Sequence, residues 1–231
     1  MNAWQTLMLL LVCSSAQAAA AELRPFIASY SITAGSAEVQ LKRLDDERWS
    51  YEVRVKAFFL ARPWMPAELT SSLFAIQDGR VIPHQFTAED RSSDKVESLV
   101  FDWNRGRVTG IFERKPVDLP TQPGLLDSQT AQVALMNELL AGRTPQHFVL
   151  VEKGKIKEYT YTMEGSTTLR TAVGEHRTVI YRSTRAGSDK STVFWCAPDL
   201  GYLPLKVERR EGRNVNWSMT VKTLDIDNPA R

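Results

Sequence analysis

The residues able to do chemistry are few and scattered. The three histidines, His84, His147 and His176, lie far apart, and none belongs to a zinc-binding pattern with a nearby cysteine or glutamate. There is no G-x-S-x-G elbow, no glycine-rich phosphate loop and no dinucleotide fingerprint. Carboxylates cluster at Asp45, Asp46 and Glu47 and at Glu89 and Asp90, in stretches that read as turns. Cys196 sits in STVFWCAP, a strand-like run with no helix after it to lower a thiol pKa. It reads as a packing residue, since free cysteine is among the most buried residue types. The expectation is a non-enzyme with no catalytic residue, no metal and no cofactor.

Aromatic side chains are the stronger signal. Trp49, Tyr51, Trp103, Trp195 and Trp217 fall on different predicted strands, at positions of inward parity, with Val53 in phase beside the first two. On neighbouring strands they line one surface. That surface is either a core roofed by a helix or a cavity for an apolar ligand, because curled sheets commonly hold one. Trp64 and Met65, between Pro63 and Pro66, are the candidate rim of such a cavity.

The elements that must position these residues are strands. In RWSYEVRVKAF, Trp49, Tyr51, Val53, Val55 and Ala57 alternate with Ser50, Glu52, Arg54 and Lys56. NVNWSMTVKT, KVESLVFDW and KEYTYTM repeat the pattern. Glycine-containing turns at Gly79, Gly106, Gly154, Gly165, Gly174, Gly187 and Gly212 separate the β-like runs. Roughly ten to thirteen strands follow in an antiparallel meander. Twist should curl them into a half-barrel, an open barrel or a sandwich; a single curved sheet is the expected fold. One amphipathic helix is predicted within 125–143, capped by Asp127 or Ser128 and ended by Gly142. The proline-rich stretch 116–124 reads as the loop leading into it.

The N-terminal segment predicts export. An apolar run from Leu7 to Val12 precedes two overlapping A-x-A patterns, so residues 1–20 read as a cleaved signal peptide. Val12 before Cys13 disfavours a lipoprotein site. Residues 21–226 then form one β-rich domain and 227–231 a polar tail, with a bacterial periplasm as the expected compartment. The mature chain keeps one cysteine and therefore no internal disulfide. It offers no run near the ~20 apolar residues of a membrane span. With 29 basic and 27 acidic residues the net charge is +2, which gives no reason to expect nucleic acid. Arg209, Arg210 and Arg213, interleaved with Glu208 and Glu211, read as a solvated hairpin end.

Six stretches carry a resemblance: FIASYSITAG, ERWSYEVRV, SLFAIQDGRVIPHQF, VFDWNRGRV, LLDSQTAQVALM and VFWCAPDLGYLPLKVE. In this order they resemble the exported bacterial proteins grouped as domain of unknown function 3108. Cys196 departs from the family pattern, which asks there for a small or apolar residue. The resemblance implies a periplasmic protein similar to the lipoprotein carriers, a curved antiparallel sheet with helix over its concave side, and no defined chemistry. The expected function is binding of an apolar or amphiphilic ligand, a lipid or acyl chain, in the concave face. The alternatives are an envelope protein partner bound through an exposed edge strand, and a hydrolase whose site assembles only in three dimensions.

Overall fold

Alternating burial drives one continuous β meander. The computed structural model describes residues 22–45, 47–57, 68–90 and 96–227. Cys13, Trp64, Met65 and the expected signal peptide lie outside them, as do the last four residues of the expected tail. The strands are β1 (Phe26–Ile32), β2 (Gly35–Arg43), β3 (Arg48–Ala57), β4 (Glu68–Gln77) and β5 (Arg80–Asp90). Then come β6 (Val96–Asp102), β7 (Arg107–Phe112), β8 (Lys115–Pro120) and β9 (Leu125–Asp127). After helix α1 (Thr130–Leu140) follow β10 (His147–Glu152), β11 (Lys155–Thr171), β12 (Gly174–Thr184), β13 (Lys190–Ala197), β14 (Leu203–Glu211) and β15 (Asn214–Ile226).

All fifteen strands form one sheet, ordered β8 to β1, then β15 down to β9. Every pairing is antiparallel except β9 with β10, which is parallel, so the single curved sheet is mixed by one short strand. The β1–β15 ladder joins the first and last of the described strands and closes the middle of the sheet. The edges β8 and β9 do not pair with each other. They are drawn together by side chains instead: Phe86, Leu99, Val108 and Val117 of β5–β8 cluster with Leu125 and Val151 of β9 and β10. Glu97 Oε1 accepts the Gly154 amide at 3.0 Å across the same contact. The result is a curled sheet whose ends tuck over one another without a ladder.

Two predicted interruptions are strand. The stretch 116–124, expected as a loop, begins as edge strand β8, where Pro116 and Pro120 stand on the open edge that tolerates a missing N–H. Its hairpin with β7 turns through Glu113 and Arg114, both with positive φ, and so carries no glycine to announce it. Gly165 does not end a strand either. β11 runs through it with a bulge between Met163 and Gly165. Gly110 is required by close approach: a Cβ there would lie 1.9 Å from Ser98 O on the neighbouring strand.

The helix expected within 125–143 is present as Thr130–Leu140, with most of its residues buried. Leu125 and Leu126 are taken into the ladder with β10, opposite Val149 and Leu150. Asp127 ends β9 just ahead of the helix, whose N-cap is Gln129 and not the expected Asp127 or Ser128. Asp127 Oδ1 accepts the Gln129 and Thr130 amides at 2.8 and 2.9 Å, satisfying donors that a helix start leaves open. At the other end Gly142, with φ 71°, and Arg143 return their amides to Leu139 O and Glu138 O, a Schellman closure. Ala131, Val133, Ala134 and Met136 pack on the β1–β4 side, while Leu135 and Leu139 pack on Tyr161, Tyr181 and Cys196. Apolar contact on both sides is what a helix enclosed by a curled sheet requires.

Candidate functional site

The inner face of the sheet changes character along the strands. α1 covers one half: Asn137 and Arg143 both donate to Gly79 O in the β4–β5 turn at 2.9 Å. Ser72 Oγ donates to Asp127 Oδ1 at 2.7 Å and fixes the helix start to the middle of β4. The other half of the inner face, toward the β10–β11, β12–β13 and β14–β15 turns, forms a cleft of about 360 Å³.

Strand register builds this cleft. On β14 the inner positions Leu203, Leu205 and Val207 are buried, and the next residue in phase is Arg209. Arg209 stands opposite Thr192 on β13 and Trp217 on β15. Arg185 and Lys190 flank the β12–β13 turn and line the same space. β11 contributes Lys157 and Tyr159, and β10 contributes Glu152. The cleft is thus lined by six cationic side chains and one carboxylate, with Trp217 and Tyr159 as aromatic walls.

Its electrostatics are one-sided. The carboxylate Glu152 is already engaged, accepting Tyr159 Oη at 2.6 Å and Lys157 Nζ at 2.9 Å. Partial burial pushes the Glu152 carboxyl up, but those hydrogen bonds and the charges of Lys157 and Arg209 outweigh it and hold it below its ordinary value. Burial and the bond to Glu152 push the Tyr159 phenol up, so it stays protonated as a donor. Arg210 is paired with Glu208. Among the described residues, Lys153, Arg185, Lys190 and Arg209 have no salt bridge within 4 Å. Glu68, at the start of β4, lies within electrostatic reach of Arg209. No histidine lines the cleft, and the Ser191 hydroxyl is held by Arg182 Nη1 at 2.9 Å.

The aromatic candidates divide among three places. Trp49 and Tyr51 are buried, Trp49 stacked on Phe74 with Arg43 5.7 Å above its ring, and Tyr51 edge-on to Phe26. Val53 and Trp217 are half-buried against the same cluster, and of these two Trp217 reaches the cleft. Trp103 belongs to the second cluster, where its Nε1 donates to Pro83 O at 2.7 Å. Trp195 is a correction. The ladder sets Phe194 opposite Tyr181 and Val207 on the inner face and turns Trp195 to the outer one, opposite Ile180 and Lys206. Lys206 Nζ lies 4.7 Å from its ring centroid. Cys196, in phase with Phe194, is fully buried on the inner face, so alternation itself holds and it is the parity of Trp195 that faces outward. Cys196 is fully buried beside Leu135, Tyr161 and Tyr181, and burial pushes its thiol up, against thiolate formation.

The basic residues of the cleft were not legible as a group. They come from five turns or strands between Lys153 and Arg210, and in the sequence Arg209 reads with Arg210 and Arg213 as a solvated end. The signal that marks Arg209 is its phase, a cation at the next position after three buried apolar residues.

The model of the family described as Protein of unknown function (DUF3108) matches residues 26–212, and the chain belongs to that family. No curated protein matches the sequence. Among solved structures it is similar to a beta-barrel-like protein of domain of unknown function DUF1849 from Brucella abortus. The two share 13% identity over 88% of this chain and 98% of that one, with a TM-score of 0.57. A weaker likeness, TM-score 0.40 at 13% identity, links 90% of this chain with 53% of a chain in the MucA/MucB complex of Pseudomonas aeruginosa. The first likeness is one of fold. No helix among the described residues is long and apolar enough to cross a membrane.

Proposed function

We propose that this member of the DUF3108 family is an exported, non-enzymatic binding protein of the bacterial envelope, and that its ligand is an amphiphile taken at the open mouth of the curled sheet. The observation that carries this reading is the cleft that α1 does not line, where Trp217 and Tyr159 stand beside cationic side chains. A concave site that sets two aromatic walls among many charged and hydroxyl groups suits an amphiphile better than a purely apolar molecule. The helix and the two apolar clusters it packs in fill much of the concave face, and this reading therefore puts the ligand at the mouth and not under the helix. Export is supported by the apolar run and A-x-A patterns of the first twenty residues. The test is titration of the purified protein with a fluorescent fatty-acid probe. Saturable binding that weakens at least tenfold in Trp217→Ala supports the reading, and the absence of binding to the wild type overturns it.

A further inference from the structure

Resting on that reading, we infer that the cleft is an oxyanion subsite in which Arg185, Lys190 and Arg209 hold the phosphate or carboxylate head of the ligand. Three observations converge. The first is uncompensated charge: these side chains share one concavity, and among the described residues none has a salt-bridge partner there. Like charges gathered in a cleft with low-dielectric walls raise the local potential and the concentration of anions near it. The second is that the lone lining carboxylate, Glu152, is hydrogen-bonded to Lys157 and Tyr159; its charge also reaches Arg209, but one carboxylate does not offset three further cations. Glu68 on β4 also lies within electrostatic reach of Arg209 but is not among the lining residues.

The third observation is the donor set. Two guanidinium groups offer planar, paired N–H donors that match an oxyanion, and Lys190 adds a compact charge. The hydroxyl of Thr192, opposite Arg209 in the ladder, adds a neutral donor on the same face. A volume of about 360 Å³ accommodates a headgroup and the first carbons of a chain, with Trp217 beside them, and is too small for a whole lipid.

The experiment is calorimetric titration with dodecyl phosphate, dodecyl maltoside and inorganic phosphate, each alkyl probe below its micellar concentration. It is run on the wild type, on the charge-removing triple variant Arg185→Gln, Lys190→Gln, Arg209→Gln, and on the charge-keeping Arg209→Lys. The expected result is dodecyl phosphate at least tenfold tighter than dodecyl maltoside, with affinity falling as salt rises. The triple variant should erase that preference, and Arg209→Lys should retain most of it. Equal wild-type affinity for the two alkyl probes overturns the oxyanion subsite while leaving amphiphile binding intact. Binding of inorganic phosphate with no alkyl probe bound supports the subsite, places its source in free phosphate, and overturns the amphiphile reading. Binding of none of the three overturns both. The wild-type comparison of probes is independent of whether the triple variant folds.

Discussion

Arg209 and Trp217 stand directly opposite each other on β14 and β15, on the face of the sheet that elsewhere carries the apolar core. A cation at the end of a buried row is costly unless the row opens to solvent or meets an anion. Here the row opens into the cleft. The pair therefore marks the place where the inner face stops being core and becomes surface able to receive a ligand.

Ser72 and Asp127 hold the helix in place at the boundary of that surface. Asp127 is fully buried and its Oδ1 collects three donors, from Ser72 Oγ and the Gln129 and Thr130 amides. Removing the carboxylate leaves those donors buried without an acceptor. Asp127→Ala should destabilise the fold by about 2–5 kcal/mol, whereas Asp127→Asn, which keeps one oxygen, should cost less. Urea unfolding of both variants checks the order. Equal stability of Asp127→Ala and the wild type would contradict the role of the carboxylate.

His176 latches the tip of the β11–β12 hairpin. Its Nδ1 lies 2.7 Å from Asp199 Oδ2 and its Nε2 lies 3.3 Å from Val173 O, so both ring nitrogens face acceptors and the protonated ring satisfies both. The hydrogen bond to Asp199 raises its pKa. A raised folded-state value means that this stabilisation is complete below the ordinary histidine value of about 6.5 and is lost as pH rises through the folded value. Unfolding midpoints should fall across that window in the wild type, and His176→Gln should flatten the fall. An unchanged pH dependence in the variant would refute the latch.

The two neighbours Trp195 and Cys196 should respond in opposite ways to solvent and substitution. Trp195 is half-buried on the outer face under Lys206, so Trp195→Ala should cost only about 1–2 kcal/mol. Cys196→Ser places a hydroxyl among apolar side chains and should cost about 1–3 kcal/mol while leaving ligand binding intact. Iodoacetamide should label Cys196 only after denaturation. Rapid labelling of the native protein at neutral pH would contradict its burial.

Much of the fold was legible because burial on one face imposes period two. Trp49, Tyr51 and Val53 show it plainly, and the Asp78–Gly79 turn, with φ of 50° and 67°, announces its hairpin. What escaped was set by partners distant in sequence. β9 is strand because β10 lies beside it, not because Leu125–Asp127 differs from a helix start. Pro116 and Pro120 are tolerated because β8 happens to be the edge. Trp195 faces outward because the helix packs on the face that Phe194 and Cys196 share, and alternation alone does not say which face that is. The cleft was hidden for the same reason: net charge averages over the chain, while Arg185, Lys190 and Arg209 meet only after three strands have folded together.

The most direct measurement is native mass spectrometry of the protein purified without detergent from the cells that make it, followed by organic extraction of whatever it carries. The account predicts a one-to-one complex whose released component is an amphiphile with a phosphate or carboxylate head, and loss of that mass in the Arg185, Lys190, Arg209 triple glutamine variant. A clean apo mass in the wild type, joined to failure of the fatty-acid probe to bind, would contradict it.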